Sequence, residues 1–143
     1  MASVLVIGDV IDDIIVIPNG PIRANTDTSS HISHTYGGSA ANIASWAAFN
    51  GADVSFVGCV NSADVIRVQE QFATFGVKVN LQHNSLDTGT LVSIVEGAQR
   101  TMLTDRGANA ALDFNQISDS YLAEFGFVFI SGYSIFGRSV SEI

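Results

Sequence analysis

The apolar residues of this chain form short continuous runs separated by longer amphipathic stretches. The runs span residues 4–7, 54–57 and 127–130, and none of them alternates regularly with polar positions. A strand of this kind has both of its faces covered, as in a parallel sheet packed between helices. The pattern therefore predicts three parallel strands at the centre of an α/β fold.

Three segments between these strands have helical spacing. An alanine-rich segment covers about residues 39–50 and stops before Gly51, a residue favoured just after a helix. A second segment begins near Asp64, ends at Gly76 and has one apolar face, formed by Val65, Val68, Phe72 and Phe75. A third begins near Asp113 and has an apolar stripe formed by Ile117, Tyr121, Leu122 and Phe125. Strands that alternate with helices predict a wound parallel sheet flanked by helices.

Two further stretches alternate polar and apolar residues. They cover about residues 14–36, with a turn at 18–21, and residues 88–104, with a turn at 96–98. Alternation of this kind is typical of an antiparallel sheet with one wet face. We expect four strands here to form a small antiparallel sheet inserted into the main fold.

Charge and residue content exclude several kinds of partner. Six Lys and Arg against fourteen Asp and Glu give a formal net charge of −8, which disfavours nucleic acid and anionic membranes as partners. The single cysteine, Cys59, excludes an intrachain disulfide and is expected in the core, while His31 and His34 face opposite sides of a strand, so no metal site is predicted. No basic segment precedes the first apolar run, so we expect a cytoplasmic protein without a signal peptide.

The last residues have the form of a helix start. Ser139 and Glu142 have the spacing of a capping box, yet the sequence ends at Ile143. A helix this short is not stable unless it is packed. We therefore expect the chain to be a truncated form of a longer protein.

Acidic residues cluster just past the first predicted strand. Asp9, Asp12 and Asp13 lie within five residues, at the strand end where wound sheets bind ligands. A carboxylate accepts hydrogen bonds only, and its two oxygens can receive two neighbouring hydroxyls of a polyol such as a sugar or ribose. The spacing alone fits two solvated turn acids, Asp12 and Asp13, equally well.

A pair of glycines precedes the alanine-rich helix. Gly37 and Gly38 permit positive φ and a close approach by a ligand, and the helix start behind them offers free N–H groups. Asn42, near the third helical position, brings an amide that both donates and accepts hydrogen bonds. A structural turn explains the glycine pair equally well, and the segment is not a Walker-type phosphate loop.

These two segments together resemble the N-terminal signature of the ribokinase-like, pfkB-type sugar kinases. The strand end Gly8-Asp9-x-x-x-Asp13 is followed, about 30 residues later, by Gly37-Gly38-Ser39-Ala40-Ala41-Asn42. Further motifs follow in the family's order: Gly51-Ala52-x-Val54-x-Phe56-Val57-Gly58, Phe75-Gly76-Val77, Thr88-Gly89-Thr90, Arg106-Gly107-Ala108-Asn109 and Ile130-Ser131-Gly132-Tyr133. The resemblance covers the entire chain.

The resemblance implies transfer of the ATP γ-phosphate, with Mg²⁺, to a hydroxyl of a sugar or nucleoside. Asp13 is similar to the family's sugar-binding Asp, and Gly38 and Asn42 resemble residues of the same pocket, with Gly37 allowing the turn. The strands at 14–36 and 88–104 resemble the lid that covers the substrate. The resemblance implies that the lid strands can form a dimer interface, and a sheet surface left uncovered by truncation would also favour self-association, so we expect a homodimer through one of the two.

One family motif is missing from the chain. The second signature, Asp-Thr-x-Gly-Ala-Gly-Asp, supplies the anion hole and the catalytic base in the family, and Asp87-Thr88-Gly89-Thr90 matches only its opening. We therefore expect the substrate-binding half of such a kinase without its ATP-binding half, with no catalytic residue and no bound cofactor, and inactive alone. A non-catalytic polyol- or nucleoside-binding module is the alternative. A Rossmann-type nucleotide domain is disfavoured because no glycine fingerprint follows Gly8.

Overall fold

The fold consists of two four-stranded sheets joined by short helices. The structure is a computed structural model that describes residues 3–136 and 138. The strands are β1 (Ser3–Ile7), β2 (Ile11–Pro18), β3 (Ser30–Gly37), β4 (Asp53–Asn61), β5 (Lys78–Asn84), β6 (Thr90–Glu96), β7 (Gln99–Asp105) and β8 (Phe127–Ile130). The α-helices are α1 (Ser39–Phe49), α2 (Val65–Ala73), α3 (Asp119–Leu122) and α4 (Gly132–Ile135).

The main sheet has the strand order β5-β4-β1-β8, and all its neighbouring strands are parallel. All three predicted strands are present, and α1 and α2 begin and end close to their predicted limits. Only β1 and β4 are central and covered as predicted, because β8 lies at the edge of the sheet and all four of its residues are exposed. This confirms the α/β fold class. Strand β5 was not predicted, because its sequence alternates polar and apolar residues, as suits an edge strand with one exposed face.

The two inner strands of the main sheet, β1 and β4, are covered on both faces. On one face α1 and α2 pack onto it, and Phe56 of β4 stacks on Phe72 of α2 with ring centroids 4.5 Å apart. The other face holds Leu5 and Ile7 of β1 beneath the segment 108–114. Cys59 is buried on this second face, as expected for a small core residue.

The second sheet has the strand order β3-β2-β6-β7. Its outer pairs, β2 with β3 and β6 with β7, are antiparallel hairpins, whereas the central pair β2 and β6 is parallel. The sheet is thus mixed rather than wholly antiparallel. Strand β2 follows β1 and strand β6 follows β5. Because β1 and β5 run in the same direction in the main sheet, β2 and β6 enter the second sheet in the same direction.

The third predicted helix is interrupted. A 3₁₀ turn spans Phe114–Gln116, and only one turn of α-helix, α3, follows it. Two local caps cause the break: the Asp113 carboxylate accepts from the Asn115 N–H, and the Ser118 hydroxyl accepts from the Tyr121 N–H. The apolar stripe still packs against the core.

The capping box at Ser139 and Glu142 lies outside the described residues. Within the described ranges, no helix has the length and apolar character needed to cross a bilayer.

Candidate functional site

The loop between β1 and β2 fixes the start of α1. The Asp9 carboxylate is buried and accepts hydrogen bonds from the N–H groups of Ser39, at 2.6 Å, and Ala40, at 3.3 Å. These are two of the donors that every helix N-terminus leaves free, and the helix dipole favours a negative charge there. Asp9 therefore has a structural role, which joins the carboxyl end of β1 to α1.

Asp12 is held by an ion pair. Both of its carboxylate oxygens accept from the Arg67 guanidinium at 2.9 Å, and the same guanidinium contacts Asp64 at 3.1 Å and lies 5.5 Å from the ring centre of Tyr36. Hydrogen bonding to Asp12 raises the pKa of Arg67. A hydrogen bond from the Thr88 hydroxyl, at 2.6 Å, lowers the pKa of Asp64. Asp12 therefore links the second sheet to α2 and is not a free turn acid.

Asp13 differs from both of its acidic neighbours. Its side chain is half-buried and makes no hydrogen bond with the described residues. Burial raises the pKa of this carboxyl, the charge of Arg100 opposes that rise, and the charge of Asp12 adds to it. Of the three acids predicted from the sequence, Asp13 alone is available to an incoming ligand among the described contacts.

The two predicted glycines provide space around this carboxylate. A Cβ atom on Gly37 would collide with the Asp13 carboxylate oxygen, so a side chain at this position would occupy the space in front of it. Gly38 has φ of 100° and a Cβ there would lie 2.5 Å from the carbonyl oxygen of Asp9. Glycine is thus required at both positions, once for open space and once for conformation.

Asn42 lies in the first turn of α1, where its N–H donates to the Gly38 carbonyl oxygen at 2.9 Å. Its exposed side chain and Gly37 line an open cleft of about 760 Å³ between α1 and α2, together with the aromatic residues Trp46 and Phe49. Asp13 lines an adjoining cavity, and the two cavities share Thr35, Tyr36 and Arg67. The predicted residues therefore gather at one end of α1, although Asp13 and Asn42 do not line the same cavity.

Two residues beside this region were not singled out from the sequence. Asn109 is buried, and its amide bonds both the N–H and the carbonyl oxygen of Val10, at 3.0 and 2.8 Å. Its position in the small apolar segment 107–112 was an available signal, because a buried amide needs specific partners. Arg67 offered no signal, since its partner Asp12 lies 55 residues away.

Metal-ligating side chains do not cluster in the described part of the chain, where no three of them come together. The chain's one lysine, Lys78, donates to Asp53 at 2.8 Å at the amino ends of β5 and β4. Because the strands are parallel, their amino ends lie at the opposite end of the sheet from Asp13. Lys78 is therefore not placed to contact a ligand at Asp13.

Several solved structures with the same fold are sugar kinases. The chain superposes on the ribokinase of Giardia lamblia with a TM-score of 0.83 at 18% sequence identity. The match covers 99% of this chain and 47% of the ribokinase. The ribokinase of Cryptococcus neoformans var. grubii in complex with ADP matches with a TM-score of 0.77 at 24% identity, over 92% of this chain and 42% of that one. The fructokinase of Xylella fastidiosa matches with a TM-score of 0.71 at 19% identity, over 91% of this chain and 42% of that one.

The chain thus spans less than half the length of these solved kinases. No curated protein sequence matches it. Residues 1–142 match the pfkB family of carbohydrate kinases, which is nearly the whole chain. This match shows that the chain belongs to the pfkB carbohydrate kinase family.

Proposed function

We propose that this chain is the substrate-binding half, residues 1–143, of a kinase that transfers the γ-phosphate of ATP to a hydroxyl of a sugar or nucleoside. The observation that carries the proposal is the Asp13 carboxylate, half-buried, without a hydrogen bond among the described residues, and facing the open side of Gly37. A partly desolvated carboxylate without a protein partner keeps both oxygens available as acceptors for a ligand. Two neighbouring hydroxyls of a polyol can donate to these oxygens.

The other predicted residues have supporting roles in this proposal. Gly37 leaves the space that the hydroxyls occupy, Gly38 turns the chain into α1, and Asn42 offers a donor and an acceptor from the first helical turn. The second sheet acts as the lid that keeps water from the reacting groups. Exposed apolar side chains on that sheet, such as Ile32 and Leu103, favour a homodimer through the lid strands. The proposed location of the enzyme is the cytoplasm.

ATP with Mg²⁺ supplies the transferred phosphoryl group in this reaction class, and Mg²⁺ neutralises its charge. The described residues bring no three metal-ligating side chains together, and the chain's one lysine lies at the opposite end of the sheet from Asp13. We therefore infer that the isolated chain binds substrate and does not transfer phosphate. The same observation favours the second candidate, a polyol- or nucleoside-binding module without catalysis.

Calorimetric titration of sugars and nucleosides into the chain tests the binding role. Asp13→Asn is expected to weaken binding at least about tenfold, because an amide offers one acceptor oxygen in place of two and carries no charge. Asp27→Asn, in the exposed segment between β2 and β3, makes the same charge change and is expected to leave binding unaltered. Equal affinity of the wild-type chain and Asp13→Asn would contradict the proposal.

A phosphotransfer assay tests the inferred inactivity. The chain alone is mixed with labelled ATP, Mg²⁺ and each sugar or nucleoside that binds, and labelled product is measured. No product above the protein-free control is expected. Product formation that is lost in Asp13→Asn would show that the chain holds a donor site of its own.

A further inference from the structure

Two aromatic side chains of α1 lie exposed to solvent. Trp46 is 64% and Phe49 is 74% exposed, and their rings meet edge to face with centroids 5.6 Å apart. Phe75, just after α2, is 46% exposed and lines the same cleft of about 760 Å³ between the two helices. Large apolar rings that are exposed together around a cleft of this size are typical of a binding site.

The three rings lie toward one end of the cleft. Helix α1 leads into β4, and α2 leads from β4 into β5, so both helices run from the carboxyl edge of the main sheet back to its amino edge. Asn42 and Arg67 lie near the starts of the two helices, whereas Phe49 and Phe75 lie at their ends. The cleft therefore begins among polar side chains and continues to the aromatic ones.

The polar end of the cleft adjoins the cavity that Asp13 lines. Thr35, Tyr36 and Arg67 line both cavities, so one ligand can occupy the two. From Asn42, α1 rises about 10 Å before it reaches Phe49, at about 1.5 Å per residue. A sugar held at Asp13 therefore reaches the three rings only through a substituent that extends from it along α1.

The hydrogen-bonding groups near the three rings are mostly engaged within the protein. The Ser45 and Thr74 hydroxyls donate to the backbone carbonyl oxygens of Ala41 and Gln71, at 3.0 and 2.7 Å. The side-chain oxygen of Gln71 has no partner among the described residues, but it is shielded from solvent. Apart from the exposed Glu70 carboxylate, this part of the cleft offers few partners to a ligand. That favours a hydrocarbon ring over a nucleobase, whose polar edge needs hydrogen bonds.

We propose that the acceptor substrate is an aryl glycoside, a sugar linked to an apolar aromatic ring, whose hydroxyls bind Asp13 and whose ring packs against Trp46, Phe49 and Phe75. This inference rests on the proposed function, since it extends the same site along α1. The three aromatic residues then determine specificity between aryl glycosides and sugars without a ring substituent.

The test is calorimetric titration of the wild-type chain with two matched series of compounds. The first series is methyl β-D-ribofuranoside, phenyl β-D-ribofuranoside and uridine, which differ only in the group on the anomeric carbon. The second is methyl and phenyl β-D-glucopyranoside. In at least one series the phenyl compound is expected to bind about tenfold or more tighter than the methyl compound, because the ring buries apolar surface. Uridine is expected to bind more weakly than the phenyl riboside.

Fluorescence locates the bound ring. Trp46 is the chain's one tryptophan, so its emission reports a ligand that enters the aromatic end of the cleft. The phenyl glycosides are expected to change this emission as they bind, and the methyl glycosides are expected to leave it unaltered.

Variants assign the effect to the cleft. Phe49→Ala is expected to remove most of the advantage of the phenyl glycoside while the methyl glycoside binds as before. Phe127→Ala, which removes a ring that is 66% exposed on β8 and outside the cleft, is expected to keep the advantage. Thermal unfolding of each variant checks that the fold is retained.

The outcomes separate the two proposals. If phenyl and methyl glycosides bind equally and Asp13→Asn abolishes the binding of both, the inference about the cleft is wrong and the proposed function stands. Tighter binding of uridine than of the phenyl riboside, or an advantage that persists in Phe49→Ala, also overturns the inference. If no compound binds, or if Asp13→Asn changes nothing, the proposed function fails and the inference fails with it.

Discussion

The two sheets of the molecule contrast in how deeply their strands are buried. In the main sheet, Leu5 and Val6 of β1 and Val54 and Phe56 of β4 are all at 0% exposure, so both faces of these strands are covered. The edge strands β5 and β8 of the main sheet have no buried residue. In the second sheet, β2, β3 and β6 have one buried residue each and β7 has none. The contrast suggests that the main sheet supplies most of the stability and leaves the second sheet free to carry recognition.

The largest expected effect tests this division directly. Phe56→Ala, in the core of the main sheet, is expected to lower the free energy of unfolding by about 3–5 kcal/mol, because it removes a stacked ring and leaves a cavity. Met102→Ala, on exposed β7 of the second sheet, is expected to change it by less than about 0.5 kcal/mol. Urea denaturation measures both, and similar losses would contradict the division.

The next effect concerns the junction between the two sheets. Gly38→Ala is expected to lower the free energy of unfolding by about 2–3 kcal/mol, because it adds a collision with the Asp9 carbonyl oxygen to the strain of a positive φ. Gly51→Ala is the matched control, since Gly51 has φ of 90° and open space around its missing Cβ. Thermal unfolding is expected to show a smaller loss for the control. Equal losses would mean that the collision relaxes without cost.

A smaller effect is expected from the ion pair that links the second sheet to α2. Arg67→Gln is expected to cost about 1 kcal/mol or less, because the Arg67 and Asp12 side chains are 35% and 34% exposed and water screens them. Lys78→Gln breaks the more exposed pair with Asp53 and is expected to cost less. Denaturation at low and high salt checks the cause. A loss for Arg67→Gln that does not shrink in salt would point to packing on Tyr36 instead.

The smallest expected effect is a gain in stability, from a substitution of Asp13. Because the pKa of Asp13 is raised in the folded state, the folded chain binds more protons than the unfolded chain above the ordinary value of 3.8, and stability falls as the pH rises through this window. Asp13→Asn is therefore expected to stabilise the chain slightly at pH 7. The gain is expected to vanish below pH 3.8, where both states of the wild type are protonated.

Chemical denaturation of wild type and Asp13→Asn across this pH range measures the gain. A residue that weakens the fold and is required for binding is typical of a functional site. Destabilisation by Asp13→Asn at pH 7 would instead mean that the carboxylate supports the fold.

The sequence was most informative where a residue's environment is set by its near neighbours. Runs of apolar residues located β1, β4 and β8, and the glycine pair with its following helix located the start of α1. The interruption at α3 was missed because two local caps, at Asp113 and Ser118, prevailed over the helical stripe. Periodicity does not report such competition for backbone hydrogen bonds.

The roles of the three clustered acids depended on distant partners. Asp9, Asp12 and Asp13 are equivalent in the sequence, yet Asp9 caps a helix 30 residues away and Asp12 meets an arginine 55 residues away. Asp13 was selected by resemblance to the family, and its lack of a described partner is what distinguishes it in the structure. Pairing across the fold, not residue type, separates a structural acid from a candidate binding residue.

The attachment of the second sheet has a consequence for motion. Strand β2 departs just after Asp9, and β3 returns to the main body at Gly38, whose backbone packs against that same Asp9 carbonyl. The chain crosses between the two sheets twice more, between β5 and β6 and after β7, so any rocking of the second sheet would bend all four crossings together. Such rotation would change the gap between Asp13 on the moving arm and Asn42 on the fixed helix while both sheets stay intact, so domain closure and substrate capture would be one event.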